Sequence, residues 1–99
     1  MKNEHNEKSG EVVVPCRFGM HLGVAVKVVM AARSLKSVVW IIQGDRRSDA
    51  KSIFGLVAIG ASRGKKLTLL AKGPDADGAI QRLTALFSDR GTLCEESDS

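Results

Sequence analysis

The sequence predicts an α+β domain in which a four-stranded antiparallel sheet carries three helices on one face, in the order β-α-β-β-α-β-α. Three observations predict it. Short apolar or β-branched runs, Val12-Val13-Val14, Ser37–Gln43 and Lys65–Lys72, read as strands. Segments with apolar residues at helical spacing alternate with them. The length, 99 residues, accommodates one core and no large enclosed cavity.

Residues 1–10 are polar and charged and are expected as a flexible tail, with the globular domain over 11–88. Residues 89–99 end in Glu95-Glu96-Ser97-Asp98-Ser99 and read as a second, solvated tail. The first strand runs from Glu11 and is stopped by Pro15. Over 22–35, Leu22, Ala25, Val28, Val29, Ala32 and Leu35 recur at helical spacing. Val24, Val26 and Val28 also alternate with period two, but the length and Met30-Ala31-Ala32-Arg33 favour helix. Ser37–Gln43 has the composition of a buried strand, with Trp40 expected in the core. Gly44-Asp45-Arg46 makes a turn, and Arg47-Ser48-Asp49 a short returning strand. Ser52 caps a short helix over 53–59 that Gly60 closes. Lys65–Lys72 is the fourth strand, and Gly73-Pro74-Asp75 opens a last helix striped by Ala76, Ile80, Leu83 and Phe87.

Composition removes several classes of function. No apolar run approaches the roughly 20 residues that span a bilayer, and the first residues lack a signal-peptide core, so a cytoplasmic protein is expected. Cys16 and Cys94 do not make a disulfide framework and read as two reduced thiols. Cys16 has no base indicated beside it as a nucleophile. With no Cys-x-x-Cys, one plausible histidine and no convergent carboxylates, neither a metal site nor hydrolase chemistry is indicated, and no cofactor is expected. His5 lies in the polar tail and is given no role. The net charge of +4 admits an acidic protein partner or nucleic acid.

The chemistry-bearing features are two helix starts. Gly19-Met20-His21 places an imidazole ahead of the first helix, with the amides of Leu22, Gly23 and Val24 as free donors. An imidazole is a nucleophile able to take up and release a phosphoryl group, and a helix N-terminus stabilises the anion formed. The plain alternative is a capping or packing histidine. Ser52 is likewise either an ordinary N-cap or a modifiable hydroxyl.

Gly19-Met20-His21 followed by a helix resembles the active-site segment of the HPr family, histidine phosphocarriers of the bacterial sugar phosphotransferase system. The stretch from Asp45-Arg46 through Lys51-Ser52-Ile53-Phe54-Gly55-Leu56-Val57-Ala58-Ile59-Gly60 is similar to that family's regulatory serine segment, and Ala61-Ser62-Arg63-Gly64 and Gly73 also match. The resemblance covers roughly residues 11–88 and implies an open-faced β-sandwich. It implies a carrier that accepts a phosphoryl group on His21 from Enzyme I and passes it to a sugar-transport component. Such a chain is a phosphorylated substrate protein and not a stand-alone enzyme. It further implies that a dedicated kinase modifies Ser52, with a transcription regulator as a further partner. Lys51, Arg46 and Arg47 are close enough in sequence to pair with that phosphate, and the resemblance implies a partner-docking face of Lys27, Lys51, Ile53, Phe54 and Val57, at least one of the three apolar residues being core.

The chain departs from the family after the histidine. Where a small residue, an arginine and a proline are usual, it has Leu22, Gly23 and Val24. The absent guanidinium is worth about 1.5–3 kcal/mol as a charge-assisted hydrogen bond. Arg17 and Arg63 are the substitutes the family fold brings near. Leu22 and Val24 are expected to make the rim apolar. These departures keep a second hypothesis open, a regulatory binding module that retains the fold and Ser52 but does not transfer. A third is a basic nucleic-acid binder using Arg46, Arg47, Arg63, Lys65 and Lys66, weakened by 4% aromatics and no tyrosine for stacking.

Overall fold

The computed structural model describes residues 6–95. Strand β1 (Glu7–Val13) lies at one edge of a four-stranded sheet, followed in space by β4 (Lys66–Lys72), β2 (Val38–Gln43) and β3 (Arg46–Asp49). Every pairing is antiparallel. Helices α1 (Leu22–Arg33), α2 (Ile53–Ile59) and α3 (Ala76–Ser88) cover one face, as the alternation of elements predicts.

The pleat explains the core. Val12 pairs with Leu67, Ile41 with Leu69, and Val39 with Ala71, and all six side chains are buried. They meet Val24, Ala25, Val28 and Ala32 of α1, Leu56 of α2, and Ala79, Leu83 and Phe87 of α3. Helix α1 is therefore set by its 3.6-residue stripe, and the competing period-two reading loses because the valines at 24 and 28 fall on one helical face.

Three expectations about the elements and the core are corrected, and a fourth concerns the cysteines. Trp40 is not a core residue. It faces the open side of the sheet opposite Leu70, half-buried, with the Arg47 guanidinium 4.7 Å above its ring. A sheet covered on one face buries only alternate residues, so Val39 and Ile41 take the core and Trp40 faces outward. Second, β1 begins at Glu7, so residues 7–10 belong to the sheet, where they pair with residues 69–72 of β4. Third, residues 90–94 form a further helix, α4 (Arg90–Cys94), with Leu93 and Cys94 buried.

The two cysteines are not free thiols. Cys16 and Cys94 are joined by a disulfide that closes a separation of 78 residues and fastens α4 to the segment before His21. In the chain-entropy picture a closure of that length stabilises by roughly 4 kcal/mol. The last four residues, 96–99, and residues 1–5, with His5, lie outside the described part of the chain.

Candidate functional site

The β1–α1 connection, residues 14–21, is fixed by backbone bonds. Val14 N–H donates to the Lys65 carbonyl at 3.0 Å, Gly19 N–H to that of Cys16 at 2.9 Å, and Met20 N–H to that of Ala61 at 2.8 Å. Gly19 has φ +72, and a Cβ there would lie 2.5 Å from the Ala61 carbonyl oxygen. Only glycine fits that close backbone approach. Met20 is buried, so the next residue is turned outward at the helix entry.

That residue is His21, the N-cap of α1, with extended backbone and a half-buried side chain. Its Nδ1 accepts a hydrogen bond from Gly23 N–H at 3.1 Å. Nδ1 thus lies over the first turn of α1, where helix-start amides lack intrahelical partners and that of Gly23 turns to the imidazole. The missing side chain at 23 makes this possible, since a Cβ there would sit 3.0 Å from His21 Cε1 and 3.4 Å from Nδ1. Phe18 stands edge-on to the imidazole, with centroids 6.5 Å apart at 63°, and is 62% exposed. Sequence reasoning missed Phe18. Its signal is an aromatic residue beside Arg17 in the loop, three positions before the histidine.

The other expected residues divide. Leu22 is 58% exposed at the rim. Val24 is not a rim residue, because its side chain is buried in the core stripe of α1. Arg17 is exposed in the histidine loop, its guanidinium 5.4 Å from the Phe18 ring centroid. Arg63 lies exposed in the turn after Ala61, the residue that holds Met20. Lys27 turns onto α4, donating to the Thr92 carbonyl at 2.7 Å and pairing with Glu95 at 2.5 Å.

Ser52 is the N-cap of α2, and its hydroxyl oxygen accepts from Gly55 N–H at 3.0 Å. Gly55 packs so closely that a Cβ would fall 2.1 Å from Ser48 Oγ. Phe54 is 84% exposed, Val57 is exposed at the next turn, and Ile53 is half-buried against the core. The nearby cations are used elsewhere. Lys51 Nζ donates to the Leu35 carbonyl at 3.0 Å, Arg46 to the Ala58 carbonyl at the far end of α2, and Arg47 covers Trp40. Lys65 and Lys66 are exposed at the start of β4.

Two carboxylates fix the surrounding elements. Asp75, ahead of α3, accepts from the Ser37 hydroxyl and from the Lys36 and Ser37 amides, which hold it below the usual carboxylate range. Asp89 caps α4 through the Thr92 hydroxyl and amide, with the same effect.

An imidazole held by a helix-start amide, on an open-faced sandwich, suits a histidine phosphocarrier. The family model for the HPr component phosphorylation site of the phosphotransferase system matches residues 8–89. The phosphocarrier protein NPr of Shewanella violacea is 34% identical over 76 residues, covering 77% of this chain and 84% of that protein. Among solved structures, HPr from Thermoanaerobacter tengcongensis superposes with a TM-score of 0.80 at 29% identity, covering 84% of this chain and 93% of the other. Crh, the catabolite repression protein of Bacillus subtilis, superposes with a TM-score of 0.68 at 31% identity, covering 79% and 90%. The chain belongs to the HPr family, the phosphocarriers of the phosphotransferase system. Helix α4 follows the last residue of the family match.

Proposed function

We propose that this protein carries a phosphoryl group on Nδ1 of His21, taking it from phosphorylated Enzyme I and delivering it to a sugar-transport component in the cytoplasm. The observation that carries the reading is the bond from Gly23 N–H to Nδ1. It holds Nδ1 at the helix start, and release of the Gly23 amide frees the lone pair for in-line attack on phosphorus. As the new N–P bond forms, the donor's bond to phosphorus breaks and its electron pair leaves with the donor. The phosphoryl oxygens then take over the amides of Leu22, Gly23 and Val24, and the helix dipole contributes about 0.3–1 kcal/mol.

Phe18, Leu22, Phe54 and Val57 supply the exposed apolar area for docking, and Arg17 and Arg63 its basic rim. Phosphorylation of Ser52 by a dedicated kinase would replace the bond to Gly55 N–H by phosphate–amide bonds and add about −1.5 to −2 charges beside Phe54. That charge would repel acidic partners and recruit a regulator with a basic face.

The position of the phosphoryl group tests this reading. Nuclear magnetic resonance of the phosphorylated protein should assign it to Nδ1 of His21. Assignment to Nε2 would remove the role given to the helix amides. A regulatory module without transfer is the second reading. Glycine in place of the family's arginine and the likeness to the catabolite repression protein Crh favour it.

A further inference from the structure

We propose that Lys27 is a phosphoryl-binding side chain for His21, held in reserve by the Cys16–Cys94 disulfide through α4, so that reduction of the disulfide activates the carrier. The inference rests on His21 being the phosphoryl acceptor.

Lys27 lies one helical turn after Gly23, on the same edge of α1. Long helical side chains lean toward the preceding turn, and four residues span about 6 Å along the axis. The path from Lys27 to the imidazole therefore runs over residue 23, where no side chain obstructs it. An ammonium at that place would supply the positive charge that the absent arginine otherwise brings.

In the oxidised protein the ammonium is committed elsewhere, to the Thr92 carbonyl at 2.7 Å and the Glu95 carboxylate at 2.5 Å. Both acceptors belong to the end of α4, a helix of five residues. So short a helix has little stability of its own. It is held by the Asp89 cap, the burial of Leu93 and the disulfide. Its last turn ends in Glu95 at φ +44, a left-handed conformation that is unfavourable for a residue other than glycine. Opening the disulfide removes the covalent tie on this end and lets Glu95 and Thr92 leave Lys27.

The reductant is a dithiol. One of its thiolates attacks Sγ of Cys94, the less deeply buried of the two residues, and Cys16 leaves as a thiolate that takes up a proton. The second thiol of the reductant then displaces Cys94, which also ends protonated, and the reductant is left as a disulfide. Disulfides in reducing compartments are commonly transient or redox-sensing, which suits a carrier in the cytoplasm.

The test is the initial rate of phosphorylation by Enzyme I and phosphoenolpyruvate, with the protein either oxidised or reduced by dithiothreitol and its thiols counted. A cysteine-free HPr controls for effects on Enzyme I. Reduction should raise the rate about tenfold, the scale of one charge-assisted hydrogen bond. The gain should vanish in Lys27→Met, and oxidised Glu95→Gln should already show part of it without any change at a cysteine. Equal rates in the two redox states, or a gain that survives in Lys27→Met, would overturn the proposal while leaving His21 as acceptor. No phosphorylation in either state would overturn both.

Discussion

Gly23 donates its amide to His21 Nδ1 at 3.1 Å, and the same residue leaves the space beside the imidazole without a side chain. One glycine thus aligns the nucleophile and removes the charge that the family places beside it.

Gly23→Arg separates these effects. Restoring a guanidinium should raise the rate of phosphoryl acceptance about tenfold, and the exchange of glycine for a good helix former should add up to about 1 kcal/mol of stability. The imidazole must yield a few tenths of an ångström to the new Cβ, which a surface ring can do. Transfer kinetics and thermal unfolding measure the two effects independently.

Gly19→Ala should destabilise the domain by about 1–3 kcal/mol, because φ +72 and the Ala61 carbonyl at 2.5 Å both oppose a Cβ. For a domain of this size each kcal/mol lowers Tm by about 4–8 °C. The transfer rate should fall as well, since the Met20–Ala61 bond that sets the helix entry is displaced.

Ser52→Ala should cost about 1 kcal/mol through loss of the N-cap bond to Gly55, with transfer at His21 nearly unchanged. Ser52→Asp keeps a capping oxygen and adds a charge beside Phe54, so its stability should stay near wild type while binding to Enzyme I weakens. Titration calorimetry against Enzyme I measures that difference.

Asp75 and Asp89 make acid the destabilising direction. Both have folded values below the ordinary 3.8, so both bind fewer protons folded than unfolded. Their contribution is fully present above that value and is lost as pH falls through their lower folded values. Denaturation midpoints measured from about pH 5 to about pH 2 should decline, and Asp75→Asn should flatten part of the slope.

Much of this molecule was legible in its sequence. The strand and helix order follows from local composition and caps, and both helix starts are visible as His21 and Ser52. Trp40 was misread because Ser37–Gln43 is apolar on both faces, and only the one-sided helical cover decides which face is buried. The last helix was hidden for another reason. Arg90-Gly91-Thr92-Leu93-Cys94 has too few residues for periodicity, and a cross-link 78 residues away holds it. The diversion of Lys27 onto that helix was invisible for the same reason. Arg46, Arg47 and Lys51 read as free cations near Ser52 because their carbonyl and ring partners are distant in sequence.

The central claim is that His21 carries the phosphoryl group, and intact mass measures it most directly. The protein is incubated with Enzyme I and phosphoenolpyruvate and weighed under alkaline conditions that preserve phosphohistidine. The account predicts the gain of one phosphoryl group, abolished in His21→Ala. No gain while an established HPr is labelled in parallel, or a gain that persists in His21→Ala, would contradict it.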